Sequence, residues 1–429
     1  MSLQFSGTDM HHIVITKILP SAHKGDLAIA KAMLDTIKMM HPEWSLSLFC
    51  RNPVEDKQIF EKYGSVNGEV LSNSTDGSSK LAIVRRFCRY MAWRIISFPR
   101  LDDRADRFVN ACKSADALLF CGGGSPGGYG FVNLILHALV PVILAKKTHI
   151  PIIFSAIGIE PITSPVHRTV MRWILNQVDL IAVRDPQARE TLNQIDVKAR
   201  IELTADWAIG LQPAGKKECT KLLYESGVKE RHVTRIGMNL RDVAASGPEG
   251  QTRENSDYEA FVKSAISMIL DRMAADIVVV SMTRSSRTDD LAFAQKIKAG
   301  LNEAHKERFH ILQDDYSPEQ IKGIISLMDI FIATRLHPAI FAVSEAVPTI
   351  AVHNFFKVKG FMQYTGLEKW FLPIDRIAAE DVAVAAEKLV LVRQNISEQI
   401  NDKLIELNKA VSRNVELIEE IVPNRISEF

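Results

Sequence analysis

The sequence predicts two doubly wound α/β domains facing each other across a cleft, with a helical segment at the C-terminus. Three observations carry this. Short apolar, β-branched runs alternate with amphipathic helical stretches. A polar, lysine-rich passage at 212–231 interrupts the alternation, which then begins again. Several apolar runs also pass straight into turns marked by glycine, arginine or proline, as strands of parallel sheets do where they lead into helices. The 429 residues are ample for two cores.

In the first half, 12–19 and 45–50 read as strands. Between them lie the turn Lys24-Gly25-Asp26 and an amphipathic helix at 27–40, with Asp26 placed to cap it. Segment 64–79 is rich in Ser, Asn and Gly and reads as a mobile loop. A basic, aromatic helix is expected at 82–98, where Arg85, Arg86, Arg89 and Arg94 alternate with apolar residues. The strand at 117–121 runs into Gly122-Gly123-Gly124-Ser125-Pro126-Gly127-Gly128, which matches neither a Walker loop nor the strict dinucleotide fingerprint. Its glycines let a ligand or another backbone approach closely. Strands at 151–155, 180–183 and 201–204 and helices at 166–177 and 186–194 complete this half.

The second half follows the same alternation, with strands at 236–240, 276–281, 310–312, 329–333 and 349–352 and helices between them. A loop carrying Lys357 and Lys359 follows, then helix from 378 to 421 with a break near 394–397. The expected boundaries are 1–211, a linker at 212–232, 233–376, and C-terminal helices at 377–429.

The net charge of +1 and pI of about 7.7 give no reason to expect nucleic acid as a partner. Cys50, Cys88, Cys112, Cys121 and Cys219 are scattered and odd in number, which suits reduced thiols in the cytoplasm. No clustered His, Asp, Glu or Cys set implies a metal. The N-terminus lacks a signal pattern, and the longest apolar stretch, 131–145, contains His137 and is too short to span a bilayer. A soluble cytoplasmic protein is expected.

Four apolar runs end in arginine: Arg184, Arg241, Arg284 and Arg335. Strand ends of parallel sheets share an edge, so these cations are expected to converge on a small polyanion, because crowded cations repel unless an anion joins them. Asp185 and Asp242 follow two of them and offer local ion pairs instead. Arg335 and His337 lie between a strand and a helix start, where anions are favoured.

Arg335-Leu336-His337, the turn Lys24-Gly25-Asp26-Leu27-Ala28-Ile29, the Gly122-Gly123-Gly124 loop, Val183-Arg184-Asp185 and 354–361 with Lys357 together resemble the polysaccharide pyruvyl transferase family. The resemblance implies a GT-B-like pair of Rossmann domains, the first on the acceptor side and the second on the donor side. It implies transfer of a pyruvyl unit from phosphoenolpyruvate to a sugar, as a cyclic ketal, with no further cofactor. Arg184, Arg335, Leu336, His337 and Lys357 would hold the donor. Arg241 and Arg284 join the substrate-binding set from the strand-end pattern, and Gly123 and Gly124 from the glycine loop that is one of the family motifs.

Asp26, His337 and Arg335 are the catalytic candidates, with Glu160 and Asp206 as further acid/base groups. The acceptor is expected to be a saccharide, free or lipid-linked. One departure is His23, where the family's first turn usually carries asparagine, and it bears on the acceptor rather than the donor. The 82–98 helix has two readings: packing with snorkelling arginines, which is favoured, or peripheral contact with a membrane. Self-association into a homo-oligomer is compatible with the sequence and not fixed by it. Two rivals stand: a nucleotide-sugar glycosyltransferase of the same architecture, and a non-catalytic assembly homologue.

Overall fold

The alternating pattern is realised as two parallel sheets. The computed structural model describes residues 10–19, 23–70, 85, 87–93, 101–126, 130–229, 233–241, 255–284, 289–353 and 356–422. The first sheet comprises β1 (His12–Ile18), β2 (Ser45–Cys50), β3 (Ser65–Gly68), β4 (Ala117–Phe120), β5 (Ile152–Ile157), β6 (Leu180–Val183) and β7 (Arg200–Leu203). Its order is β3-β2-β1-β4-β5-β6-β7, with parallel pairing throughout.

The second sheet comprises β8 (Thr234–Asn239), β9 (Ala275–Val280), β10 (Phe309–Ile311), β11 (Ile330–Ala333), β12 (Thr349–Val352) and β13 (Phe371–Leu372). Its order is β10-β9-β8-β11-β12-β13, again parallel. In each sheet the winding reverses beside the first strand, between β1 and β4 and between β8 and β11. Such reversals open a crevice at the carboxyl ends of the two strands.

Met1–Ser21, Ile29–Trp207 and Lys409–Phe429 form one compact unit, and Ala22–Ala28 with Ala208–Asn408 the other. Each closes its own core. Val14, Phe108, Phe120, Phe154 and Ile181 are buried in the first. Ile236, Ile277, Phe309, Ile330 and Ile350 are buried in the second. Fully buried strands such as Leu180–Val183 and Ile330–Ala333 are uniformly apolar because helices cover both faces.

Several expectations are corrected. The helix beginning at Lys24 (Lys24–Met40) puts Asp26 in its first turn rather than at the cap. Segment 64–79 contains strand β3, whose polar residues reflect an edge position where alternation is weak; 71–79 lie outside the described residues. In the basic helix, 87–93 are helical, Tyr90 is buried with its hydroxyl donating to Asp102 at 2.6 Å, and Arg85 and Arg89 are exposed. Arg86, Arg94, Gly127, Gly128, Asp242 and 354–355 lie outside the described residues.

The lysine-rich passage holds the helix Lys216–Glu225, which buries Cys219 and Leu223; beside it, the Ala214 N–H donates to the Glu319 carbonyl at 2.8 Å. Lys357 and Lys359 sit in the helix Phe356–Tyr364, not in a loop. The helix Ala379–Ile421 is continuous through 394–397, because no glycine or proline breaks it and Leu389 and Ile400 extend one buried stripe across that point. No described helix is long and apolar enough to cross a membrane.

Candidate functional site

In the second unit the crevice between β8 and β11 is locked by a reciprocal polar pair. The Thr334 N–H donates to Asn239 Oδ1 at 2.9 Å, Asn239 Nδ2 to Thr334 Oγ1 at 3.1 Å, and Thr334 Oγ1 to the Asn239 carbonyl at 3.0 Å. These bonds satisfy buried polar groups where the strands would otherwise splay, and they fix the backbone that launches Arg335.

Arg335 then stands at the N-cap of the helix Leu336–Ser344, in extended conformation, with no side-chain cap bond at that helix start. Its Nη2 donates to Asp290 Oδ1 at 2.6 Å, and Asp290 is 1 % exposed. Arg335 Nε is buried and has no hydrogen-bond partner among the described residues. A buried guanidinium N–H left in this way is a donor without its acceptor.

The next strand, β12, delivers His353 to the same end of the sheet, where its N–H donates to the Leu372 carbonyl at 3.1 Å. Burial, followed by the positive charges of Arg241, Lys357 and Arg335, holds the His353 imidazole well below its ordinary pKa. The positive charges of three cations expected from separate motifs therefore act on one buried histidine. Lys357 lies in the first turn of Phe356–Tyr364, and His337 in the first turn of Leu336–Ser344; neither first turn carries an acidic residue. A cation such as Lys357 at a helix N-terminus opposes the helix dipole, an arrangement that an anion reverses.

The turn at 23–28 is part of this unit. The Lys24 N–H donates to the Met282 carbonyl at 3.0 Å, His23 forms a backbone bridge with Thr283, and Lys24 Nζ pairs with Asp315 at 2.8 Å. Gly25 lies against the His337 ring: a Cβ there would fall 2.0 Å from Nδ1. Asp26 is half-buried one residue on.

Arg284 takes a different course. Its Nη2 donates to the carbonyls of Gln313 and Asp314 at 2.5 and 2.6 Å, so it braces the chain after β10. Its part in substrate binding is an expectation from strand-end position alone.

The first unit has its own cluster at the carboxyl ends of β1 and β4. Lys17, at φ 61, interrupts the register of β1 and donates from Nζ to the Gly124 carbonyl at 2.7 Å. Gly123 has φ 111, a conformation open to glycine, and its carbonyl accepts from the Gly158 N–H at 2.7 Å. Gly158 leaves room for Arg184, whose Nη2 would lie 2.6 Å from a Cβ there. Arg184 is buried, with Nη1 donating to Asp206 at 2.8 Å and Nε 3.7 Å from Asp185. Asp185 also accepts from the Ala188 N–H at 2.7 Å as a helix cap; burial raises its carboxyl's pKa against both partners. The alternative of local ion pairs is thus realised for Arg184, and Asp206 is its counter-ion. Glu160 is half-buried beyond β5.

Arg241, Arg335, Leu336, His337 and Lys357 are thus gathered in the second unit, while Arg184, Gly123 and Gly124 lie in the first. Sequence reasoning missed Asp290, His353, Lys17 and the Asn239–Thr334 pair. Only His353 had a usable signal: it closes a strand immediately before the lysine motif.

A family model described as Polysaccharide pyruvyl transferase matches residues 23–354, from the His23 turn to the edge of the lysine motif. The chain belongs to the polysaccharide pyruvyl transferase family. It is similar to the amylovoran biosynthesis protein AmsJ of Erwinia amylovora, 20% identical over 430 residues, covering 94% of this chain and 95% of that protein.

Among solved structures, a Rickettsia africae glycosyltransferase matches with TM-score 0.63 at 12% identity, over 97% of this chain and 100% of that one. Anabaena HepE, in complex with UDP and glucose, matches with TM-score 0.58 at 14% identity, over 96% and 98%. The Neisseria meningitidis UDP-GlcNAc 2-epimerase, bound to UDP-GlcNAc, matches with TM-score 0.58 at 9% identity, over 96% and 100%. These likenesses establish the expected GT-B architecture. Family and relative alike point to a transferase of polysaccharide biosynthesis, as the motifs implied.

Proposed function

We propose that this family member moves the pyruvyl unit of phosphoenolpyruvate onto two hydroxyls of a saccharide, forming a cyclic ketal and releasing phosphate. The observation that carries this reading is the unpartnered Nε of Arg335 together with the positive charges of Arg335, Arg241 and Lys357 acting on one buried histidine, beside two helix starts that lack acidic residues. A ligand bearing both a phosphate and a carboxylate suits such a site, since one planar guanidinium and several point charges can divide the two groups between them.

In the proposed reaction the methylene carbon of the donor takes a proton and becomes a methyl group, and C2 becomes electrophilic. One acceptor hydroxyl oxygen bonds to C2, and a second displaces phosphate to close the ring. Of the two hydroxyl protons, one balances that placed on carbon and the other leaves with phosphate. Arg335 and Lys357 stabilise the departing charge, and His337 binds the phosphate. Asp26, half-buried beside the Gly25–His337 contact, is the proposed base for an acceptor hydroxyl. The chemistry needs no metal or separate cofactor. The acceptor is a saccharide of an extracellular or capsular polymer or its lipid-linked precursor, met on the cytoplasmic side of the membrane. Arg184, Gly123 and Gly124 are proposed as substrate contacts on the family resemblance.

Calorimetric titration of phosphoenolpyruvate into the wild type and into Arg335→Ala tests the donor assignment, with UDP as the control that the shared architecture demands. Binding that weakens about 10- to 100-fold in the variant is expected from loss of charged hydrogen bonds. Binding of UDP without any of phosphoenolpyruvate would overturn the reading in favour of a nucleotide-sugar enzyme.

A further inference from the structure

Asp290 joins parts of the second unit that the proposed reaction uses separately. One carboxylate oxygen accepts from Arg335 Nη2 at 2.6 Å; the other accepts from the N–H groups of Met282 and Thr283 at 3.0 and 3.2 Å. The Met282 carbonyl in turn accepts from the Lys24 N–H at 3.0 Å, and the neighbouring Gly25 abuts His337, two residues beyond Arg335. The contacts form a closed ring: Arg335 to Asp290, Asp290 to the end of β9, β9 to the 23–28 turn, and that turn back to the Arg335-Leu336-His337 segment.

Because Asp290 is 1 % exposed, water cannot substitute for either set of its bonds. A guanidinium held at Nη2 cannot swing freely, so its remaining N–H donors keep one direction.

We infer that Asp290 is the positioning residue of the donor site, fixing Arg335 and tying its orientation to the 23–28 turn. The inference rests on Arg335 binding the phosphoenolpyruvate anion. Asp290 touches no substrate. Its contribution to donor affinity passes through the orientation of Arg335, so its removal should cost affinity in proportion to how much orientation Arg335 still needs.

Asp290→Asn tests this. Its amide oxygen can accept from Met282 and Thr283 only by turning the amide nitrogen toward Arg335, donor against donor. Phosphoenolpyruvate affinity and KM are measured for Asp290→Asn, Arg335→Lys and the double variant, with thermal melting of each. Lysine is a point charge without a planar fork and has no orientation to lose. The expected result is at least a tenfold loss of affinity from Asp290→Asn in the wild type, shrinking to under threefold in the Arg335→Lys background.

Equal losses in both backgrounds would show a purely structural residue and overturn the inference, because only coupled side chains depart from additivity. Should Asp290→Asn fail to fold, Asp290→Glu, which keeps the charge on a longer arm, is used in the same cycle with the same expectation. The two readings fail differently. Wild-type affinity in Arg335→Lys and Arg335→Ala removes the donor assignment and the inference with it. Loss in the arginine variants with none in the Asp290 variants removes the inference alone.

Discussion

His353 shows how one side chain reports on a site. Burial, and then the charges of Arg241, Lys357 and Arg335, lower its pKa well below the ordinary 6.5. In the folded protein it is therefore neutral across the physiological range, while in the unfolded chain it takes a proton near its ordinary value. The sign follows: the contribution of His353 to stability is complete above pH 6.5 and is lost as pH falls below it, since the unfolded state then binds the extra proton. Between pH 7.5 and 5.5 the loss from this group alone is at most about 1.4 kcal/mol, one proton taken up by the unfolded chain over that window. His353→Gln, which cannot take the proton, should flatten that part of the pH–stability profile by about the same amount. Chemical denaturation at the two pH values checks it. An unchanged slope would mean that His353 is charged, or accessible to protons, in the folded state. Phosphoenolpyruvate seated among the same cations should reduce the difference between wild type and variant, because its negative charge offsets theirs.

At the scale of elements, the contact between two helix starts sets the geometry. The helices Lys24–Met40 and Leu336–Ser344 meet where Gly25 lies against the His337 ring, with no space for a side chain: the ring's Cγ would stand 2.3 Å from an added Cβ. Alanine favours a helix over glycine by about 1 kcal/mol, whereas overpacking against a ring costs about 1–3 kcal/mol. Gly25→Ala should therefore change stability by no more than about 2 kcal/mol, yet push His337 aside and raise the KM for phosphoenolpyruvate about tenfold or more. A melting curve beside steady-state kinetics separates these effects. Unchanged KM would remove His337 from the donor site. Both motifs are readable in the sequence, because glycine between a strand and a helix and Arg-Leu-His before an apolar helix are local patterns. Their contact is not readable, since nothing local to residue 25 announces residue 337. Asp290 is hidden for the same reason: it looks like any helix-start acid, and its partners lie before it at Met282 and Thr283 and far beyond it at Arg335.

For the molecule as a whole, strongly patterned features were legible and balanced ones were not. Apolar runs such as Leu180–Val183 and Thr349–Val352 name their strands because burial on both faces leaves little choice of residue. The edge strands β3 and β13, partly exposed and short, carry no such demand. The four strand-end arginines look equivalent in sequence, but three of them part company on distant acceptors: Asp206 for Arg184, two carbonyls for Arg284, Asp290 for Arg335. The division into two units also rests on buried polar anchors far apart in the chain. Asn414, 1 % exposed, donates to the Ala205 carbonyl at 3.1 Å within the first unit. Lys322, also 1 % exposed, donates to the Ile209 and Leu211 carbonyls at 2.8 and 2.6 Å within the second, and burial lowers its pKa to about 8. Removing either donor leaves buried carbonyls without a partner, at about 1–3 kcal/mol each. Local opening follows local stability, so the damage should stay in the unit that holds the anchor. Asn414→Ala should speed amide exchange about tenfold or more in β6 and β7 while leaving Pro318–Ile325 protected, and Lys322→Met should do the reverse. Faster exchange in both places from either variant would mean that the two cores open as one, and that the division is a feature of the contacts and not of the stability.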